Sequence, residues 1–174
     1  MNKTKAIFLD RDGVLNKNRD DYVKSIDELE IFSDIISPLK KLQKEFLLLV
    51  ITNQSAINRG FTTHQKINDI HNALENYLVN HDVFIKKFYY CPHRPDENCA
   101  CRKPKPGLLN TAIKEFDIEP KLSWVIGDND SDMEAGKSVG CSTIKIDNNI
   151  TLEFAVEKIL QLISSNSEKG QNTC

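Results

Sequence analysis

Two carboxylates, Asp10 and Asp12, stand one residue apart, directly after the apolar run of residues 6–9 and just before Gly13. A short apolar run that stops at a glycine predicts a buried strand of a parallel sheet, and ligands of open α/β sheets bind beyond the carboxyl ends of such strands. Two like charges this close are unfavourable unless they share a cation or a proton. Because Mg²⁺ prefers oxygen ligands, the pair indicates a magnesium site, although a bare Asp-x-Asp also fits a solvated turn.

Two further polar segments could bind phosphate. Residues 52–55 follow the apolar run of residues 46–51, and their hydroxyl and amide groups can donate hydrogen bonds to phosphate oxygens. These residues are Thr52, Asn53, Gln54 and Ser55. Residues 101–107 contain Arg102 and Lys103 ahead of a predicted helix, and a helix N-terminus together with basic side chains favours anions. Each segment alone also fits an ordinary polar turn.

A fourth polar segment, residues 127–132, also follows an apolar run and is rich in aspartate. Acids at this edge of the sheet can complete a magnesium site that begins with Asp10. Asp130 is expected instead to cap the helix that follows, because aspartate is favourable near a helix N-terminus. Together the four segments place acids, hydroxyl groups and cations at or near the ends of strands.

A cluster of soft metal ligands follows the second of these segments and ends at the first residue of the third. Cys91, His93, Cys99 and Cys101 form a Cys-x-His-x₅-Cys-x-Cys pattern within eleven positions. Three thiolates and an imidazole suit tetrahedral Zn²⁺, and four protein ligands leave no open position for catalysis. We therefore expect a structural zinc site in a loop of about residues 91–106. Chance thiols are the alternative, and iron would also accept such ligands.

The elements that must position these segments alternate between strands and helices. Apolar runs predict five strands, at residues 6–9, 46–51, 83–90, 124–126 and 143–146. Helical spacing predicts a helix that begins after Thr62 as its N-cap, and others at residues 34–45, 107–116, 131–138 and 151–164. The alternation predicts an α/β fold with a doubly wound, Rossmann-like parallel sheet. Residues 16–31 are too short for a domain and are expected to form a small flap near the site.

Length and composition set further expectations. The 174 residues suit one domain over residues 1–164, with a disordered tail over residues 165–174. The net charge of −2 provides no basic field, so no nucleic-acid partner is expected, and the single domain favours a monomer. No apolar run approaches the roughly 20 residues that span a bilayer, and no signal peptide is recognisable. Cysteines clustered beside a histidine indicate metal binding in a reducing compartment, so we expect a cytoplasmic protein.

The order of the four segments resembles that of the haloacid dehalogenase-like (HAD-like) phosphohydrolases over nearly the whole chain. The most specific motifs are Asp-Arg-Asp-Gly at residues 10–13 and Gly-Asp-x-x-x-Asp at residues 127–132. The resemblance implies a HAD-like fold. It also implies that Asp10 is the nucleophile that forms an aspartyl-phosphate, and that Asp12 acts first as acid and then as base.

The same resemblance assigns the remaining site residues. Thr52 and Lys103 would hold the transferring phosphoryl group and neutralise its charge. Asp132 would be a supporting acid that orients Lys103 or acts through water. The Mg²⁺ ligands would be the Asp10 carboxylate, the Asp12 backbone carbonyl and Asp128.

Within the superfamily, the Cys/His loop running into Cys-Arg-Lys-Pro-x-Pro-Gly is similar to the D,D-heptose 1,7-bisphosphate phosphatase group. The histidinol-phosphatase domains share the same zinc loop. Members of the group lack a large cap domain. The resemblance implies that Arg102 contacts distal groups of the substrate, with Arg59 in the same role, and that residues 53–55 contribute to substrate binding.

The resemblance implies a Mg²⁺-dependent phosphomonoesterase that removes the 7-phosphate of a heptose 1,7-bisphosphate in nucleotide-activated heptose synthesis. Histidinol phosphatase is the first alternative, since acids such as Asp96 could face its amine, whereas Arg102 and Lys105 offer charge for a second phosphate. A DNA-end 3′-phosphatase would need a basic stripe with stacking aromatics, which the net charge of −2 and the aromatic content of 7% disfavour. A non-catalytic binding module is disfavoured because Asp10 and Asp12 are both present.

Overall fold

The computed structural model describes residues 3–171, with side chains described as far as residue 165. The strands are β1 (Ala6–Leu9), β2 (Leu47–Asn53), β3 (Lys87–Cys91), β4 (Trp124–Gly127) and β5 (Ser142–Lys145). They form a five-stranded parallel sheet in the order β3-β2-β1-β4-β5. The central position of β1 brings its carboxyl end between those of β2 and β4. The predicted doubly wound parallel sheet is therefore confirmed.

Helices cover both faces of this sheet. They are α1 (Ile36–Leu42), α2 (His64–Val79), α3 (Gly107–Glu115), α4 (Asp130–Ser138) and α5 (Leu152–Gln171). In β1, Ile7 and Leu9 pack with apolar residues of α1, α2 and α5, whereas Ala6 and Phe8 pack with those of α3 and α4. A strand buried on both faces must be apolar at every position. This explains why the runs of β1 and β2 are continuous.

Residues 16–31 form the predicted flap. An antiparallel bridge between Asn16 and Ile31 closes its base, and the Lys17 N–H donates to the Glu30 carbonyl at 2.8 Å. Within it, a 3₁₀ turn covers Ile26–Glu28.

The bounds of β3 differ from the predicted strand at residues 83–90. Val83 and Ile85 are buried in the core, but the strand itself begins at Lys87. An apolar pattern indicates that residues are buried, and here the buried residues begin before the first residue of the strand. Pattern alone does not separate the two.

Two helix caps also differ from the predictions. The N-cap of α2 is Thr63, whose side chain accepts from the Lys66 N–H, whereas Thr62 Oγ1 donates to the Lys24 carbonyl of the flap at 2.8 Å. The N-cap of α4 is Asn129, not Asp130. Asp130 is the first residue of that helix and forms an ion pair with Lys145 at 2.8 Å.

The last helix is longer than predicted. It was expected to end at residue 164, but α5 continues to Gln171. The segment expected to be disordered, residues 165–174, therefore lies partly in this helix, and residues 172–174 lie outside the described chain.

None of the helices described between residues 3 and 171 is both long and apolar enough to cross a membrane.

The corrected cap of α2 leads to a stability prediction. Thr63→Ala should lower the free energy of unfolding by about 1 kcal/mol, because one N–H of the first helical turn loses its acceptor. Chemical denaturation of the purified protein measures this loss. Thr63→Ser keeps the hydroxyl and should stay close to the wild-type value. An unchanged midpoint for Thr63→Ala would contradict the assignment of the cap.

Candidate active site

A cavity of about 230 Å³ lies at the carboxyl ends of β1, β2 and β4, where parallel α/β folds bind their ligands. The four polar segments and the flap all reach it. Its lining residues are Asp10, Asp12, Asn18, Arg19, Tyr22, Thr52, Asn53, Arg102, Lys103, Asn129 and Ser131. A larger groove of about 540 Å³ adjoins the same edge at Gly13 and Asp128, but neither Asp10 nor Lys103 lines it. The smaller cavity is therefore the one that contains the predicted reactive groups.

The Lys103 ammonium is the centre of the polar network in this cavity. Its Nζ lies 3.0 Å from Asp10 Oδ1 and 2.5 Å from Asp132 Oδ1, and it donates to the Ile51 carbonyl at 2.7 Å. Lys103 is only 5% exposed, and a buried charge needs partners. Burial opposes the charge, but the Asp10 and Asp132 carboxylates outweigh it and raise the pKa of Lys103 above its ordinary value. The structure thus fixes a cation beside Asp10, with Asp132 holding it from the other side.

Asn53, the last residue of β2, holds the backbone of Lys103 in place. Its Nδ2 donates to the Lys103 carbonyl at 3.2 Å, and its Oδ1 accepts the Lys103 N–H at 3.1 Å. The segment after β2 therefore positions the basic segment, although 50 residues separate the two in the chain.

Three carboxylates, those of Asp10, Asp128 and Asp132, come within 4.8 Å of one another. Burial, together with the neighbouring Asp132 and Asp12 carboxylates, raises the pKa of Asp10 to about 7, although Lys103 acts in the opposite direction. The pKa of Asp128 is also raised, first by burial and then by Asp132. The cluster thus holds more negative charge than the single ammonium balances.

This donor set fits Mg²⁺. The ion binds carboxylate oxygens and keeps further positions for water and substrate phosphate, and a divalent cation would offset the excess charge of the acids. Gly13, at φ +83°, lies directly against Asp128, and a Cβ at this glycine would overlap Asp128 Oδ2. Glycine is therefore required for Asp128 to reach the cluster. The residues that would hold the ion are Asp10 and Asp128.

The Asp12 side chain is oriented differently from the three clustered acids. It accepts hydrogen bonds from Arg11, from Asn16 Nδ2 at 2.9 Å and from Gln54 Nε2 at 2.8 Å. Its side chain is 20% exposed, and Asp12 lines the same cavity as Asp10. The Asp12 carboxyl group is therefore held at the cavity wall, in the same cavity as Asp10.

The four predicted soft ligands form a compact cluster. The sulfur atoms of Cys91, Cys99 and Cys101 lie 3.2 to 3.6 Å apart, and His93 Nδ1 lies 3.4 Å from Cys91 Sγ and 3.2 Å from Cys101 Sγ. Zn–S bonds of about 2.3 Å in a tetrahedron place sulfurs about 3.8 Å apart, so the spacing is close to that of a zinc centre. The geometry is compatible with the expected zinc.

The Cys/His cluster leads directly into the basic segment. The Arg102 N–H donates to Cys99 Sγ at 3.3 Å, and Arg102 Nη1 donates to the His93 carbonyl at 3.2 Å. Arg102 and Lys103 both line the cavity. Ordering of the cluster therefore also places these two cations.

Three of the predicted substrate-binding residues lie away from the cavity wall. Gln54 and Ser55 are buried, and Gln54 Nε2 donates to Thr52 Oγ1 as well as to Asp12. Arg59 is exposed and is not among the residues that line the cavity. Gln54 is thus placed to orient other site groups.

The cavity also contains side chains that the sequence did not single out. Asn18, Arg19 and Tyr22 reach it from the flap, and Asn129 and Ser131 reach it from the start of α4. The flap was predicted as a unit near the site, but its scattered residues have no periodicity that would indicate which of them face inward.

Comparisons with known proteins identify the family of this chain. The model of the HAD-hydrolase-like family matches residues 100–162. The chain is 42% identical over 154 residues to the D-glycero-beta-D-manno-heptose-1,7-bisphosphate 7-phosphatase of Helicobacter pylori, covering 87% of this chain and 86% of that protein. The chain belongs to the family of this enzyme, the heptose-1,7-bisphosphate 7-phosphatases. A D-glycero-alpha-D-manno-heptose-1,7-bisphosphate 7-phosphatase of Campylobacter jejuni is 43% identical over 144 residues, covering 82% and 81% of the two chains.

A solved structure of the heptose-bisphosphate phosphatase family has the same fold. It is the D,D-heptose 1,7-bisphosphate phosphatase of B. bronchiseptica, in a complex with magnesium and phosphate. The TM-score is 0.83 at 28% identity, and the match covers 91% of this chain and 99% of the other. The predicted recognition of a HAD-like heptose-bisphosphate phosphatase is confirmed at the level of the family and the fold.

The buried ion pairs of Lys103 lead to a second stability prediction. Lys103→Met leaves Asp10 and Asp132 without their cation and should lower the free energy of unfolding by about 3–5 kcal/mol at alkaline pH, where the Asp10 carboxylate is charged. Without Lys103 the pKa of Asp10 rises above the value of about 7 that it has beside the lysine. The loss should therefore shrink as the pH falls toward about 7, because the folded variant then binds a proton that the folded wild type does not.

Denaturant unfolding at several pH values measures this loss. Lys114→Met removes an exposed lysine of α3 and should change the free energy of unfolding by no more than about 0.5 kcal/mol. Equal effects of the two substitutions would show that Lys103 does not balance the acid cluster.

Proposed function

We propose that this protein is a Mg²⁺-dependent phosphomonoesterase that removes the 7-phosphate of D-glycero-D-manno-heptose 1,7-bisphosphate through an aspartyl-phosphate intermediate. The observation that carries the proposal is the buried Lys103 ammonium, 3.0 Å from Asp10 Oδ1, on a segment positioned by the Cys/His cluster. The family relatives named as heptose-bisphosphate phosphatases support the choice of substrate. The product would serve nucleotide-activated heptose synthesis.

The first chemical step uses Asp10 and Asp12. An Asp10 carboxylate oxygen attacks phosphorus, and the bond between phosphorus and the sugar oxygen breaks with its electron pair passing to that oxygen. Asp12 donates its proton to the departing oxygen. Lys103 and the Thr52 hydroxyl bind the oxygens of the transferring group and offset their charge.

The second step regenerates the enzyme. Asp12, now a carboxylate, accepts a proton from water, and the water oxygen attacks the aspartyl-phosphate. The bond between phosphorus and Asp10 breaks, which releases inorganic phosphate and restores the carboxylate. When bound by the carboxylates of Asp10 and Asp128 and the backbone carbonyl of Asp12, Mg²⁺ would neutralise phosphoryl charge and orient the substrate.

The cavity offers further charge for the distal phosphate of a bisphosphate. Arg102 on one wall and Arg19 on the flap both line it, and Lys105 lies two residues beyond Lys103 with its Nζ against the Asn98 carbonyl at 3.2 Å. Guanidinium groups bind phosphate in a bidentate manner. A second phosphate therefore has partners here, which favours a sugar bisphosphate over the amine of histidinol phosphate.

We also propose that the Cys/His cluster binds one structural Zn²⁺ and that the protein acts as a cytoplasmic monomer. Three thiolates and one imidazole nitrogen leave the ion no open position. Clustered reduced thiols fit a reducing compartment. The single domain favours a monomer, and the proposed reaction needs neither a nucleic acid nor a membrane.

The decisive experiment compares three substrates in the presence of Mg²⁺. They are the α and β anomers of D-glycero-D-manno-heptose 1,7-bisphosphate and L-histidinol phosphate, and the measurement is kcat/KM. One heptose anomer should exceed the other substrates by about 100-fold, or about 2.7 kcal/mol of transition-state discrimination. The relatives are named for opposite anomers, so the same experiment identifies the anomer.

A matched control for this experiment is Asp10→Asn, which has nearly the same size but is a far weaker nucleophile. It should abolish turnover of all three substrates. A preference for histidinol phosphate by a similar margin would contradict the proposed heptose substrate. Turnover by Asp10→Asn would overturn the assignment of Asp10 as the nucleophile.

The zinc proposal leads to a separate prediction. Cys99→Ser should reduce bound zinc from one ion per chain to well below one, and kcat should fall because Arg102 and Lys103 lose their anchor; structural zinc contributes on the order of 10 kcal/mol. Elemental analysis of the purified protein measures the metal. Cys141→Ser replaces a buried cysteine outside the cluster and should retain full zinc. Equal zinc in both variants would refute the site.

A further inference from the structure

The orientation of Asp12 depends on a fully buried arginine. Arg11 has no exposed surface, and its guanidinium forms hydrogen bonds to the Asp12 carboxylate. Nε and Nη2 donate to Asp12 Oδ1 at 3.1 and 2.9 Å, and Nη2 also lies 2.9 Å from Oδ2. The backbone N–H of the same residue donates to Asp10 Oδ1 at 2.8 Å. Arg11 thus contacts both acids of the motif, one with its backbone and one with its side chain.

The outer end of this guanidinium is held by a histidine of α2. Arg11 Nη1 lies 3.2 Å from His71 Nε2, and His71 is 5% exposed. The imidazole stacks on Phe88, with ring centroids 4.9 Å apart and 21° between the planes, and meets Tyr90 edge-on at 5.6 Å. The position of His71 is therefore fixed by rings of β3 on two sides.

His71 has the right chemistry to be an acceptor. Burial, and next the charge of Arg11, lower its pKa to about 3. A neutral imidazole has one nitrogen that accepts a hydrogen bond, and Nε2 faces the guanidinium. A buried guanidinium is costly unless its donors are paired, so the side chains of Asp12 and His71 together make this burial possible.

The two oxygens of Asp12 are not equally engaged. Oδ1 accepts from Arg11 Nε and Nη2 and from Asn16 Nδ2, whereas Oδ2 accepts from Gln54 Nε2 and shares only Nη2. A carboxylate oxygen has about two lone-pair sites, so these donors occupy the sites of both oxygens. The orientation of the Asp12 carboxyl group is therefore fixed at both of its oxygens.

We propose that Arg11 and His71 are positioning residues for the acid and base role of Asp12: His71 holds the Arg11 guanidinium, and the guanidinium fixes the orientation of the Asp12 carboxyl group. Neither residue touches the substrate. The proposal rests on the proposed function only through the acid and base role of Asp12, and it is independent of which sugar phosphate is the substrate.

The test exploits the dependence of the reaction on the leaving group. A good leaving group needs little protonation, whereas a poor one depends on the general acid, which contributes about 10²–10⁴-fold. With Mg²⁺ present, kcat/KM is measured for phenyl phosphates whose phenols span a range of acidity and for an alkyl phosphate. Asp12→Asn provides the reference. Its kcat/KM should fall by about 100-fold or more for the alkyl phosphate but only a few-fold for p-nitrophenyl phosphate.

The positioning variants should reproduce this pattern in weaker form. For Arg11→Met, kcat/KM should fall at least about 10-fold more for the alkyl phosphate than for p-nitrophenyl phosphate. His71→Phe keeps a ring for stacking but removes the acceptor, and its kcat/KM should fall selectively for the alkyl phosphate. His71→Gln places a carbonyl oxygen near the position of Nε2, and it should restore the wild-type dependence on the leaving group.

Ile67→Val is the control for a purely structural effect, because Ile67 is buried on the same helix without polar contacts to the network. It should leave the leaving-group dependence unchanged. Equal losses on all substrates for His71→Phe and Arg11→Met, or no rescue by His71→Gln, would overturn the proposal. If Arg11→Met does not fold, the comparison of His71→Phe with His71→Gln decides. If Asp12→Asn itself shows no selective loss, then the acid role in the proposed function fails, and the positioning proposal fails with it.

Discussion

The site depends on one buried cation. The Lys103 ammonium lies between the carboxylates of Asp10 and Asp132, and it is nearly inaccessible to solvent. Without a cation at this point, burial would favour neutral acids over carboxylates, and a neutral Asp10 would be a poor nucleophile. In the proposed reaction the same ammonium would bind a phosphoryl oxygen, so one interaction would both maintain the resting site and serve the reaction.

Lys103 does not belong to a strand or a helix, so contacts with other parts of the chain must hold it in position. Asn53 at the end of β2 holds its backbone through two hydrogen bonds, and the Cys/His cluster holds the neighbouring Arg102 through Cys99 Sγ and the His93 carbonyl. A loop of this length has few apolar contacts to order it. The sheet therefore holds Lys103, and the soft-ligand cluster holds Arg102. Zinc would affect catalysis by positioning these two side chains and would not take part in the reaction itself.

Much of this architecture could be predicted from the sequence, because the informative patterns are local. Continuous apolar runs identified the strands, and the polar residues after them identified the segments that meet at the cavity. The partners of Asp12 could not be predicted. Arg11 is only the middle residue of a short motif, and His71, 60 positions away, lies on the buried side of α2, where a histidine resembles any other core residue. Thr62 was predicted as the N-cap of α2 in place of Thr63 because both have a hydroxyl suited to capping. Only the direction of the backbone decides between them.

The charges at the site favour a divalent cation. Arg11 neutralises Asp12, which leaves the three clustered carboxylates facing the single charge of Lys103. Between residues 3 and 165, no basic side chain forms an ion pair with Asp128. The cluster can relieve its excess charge by binding a proton, which the raised pKa of Asp10 favours, or by binding a cation. A proton on Asp10 would remove the nucleophile. Two uncompensated negative charges match the charge of Mg²⁺, so charge balance supports the proposed metal dependence as well as the type of ligand does.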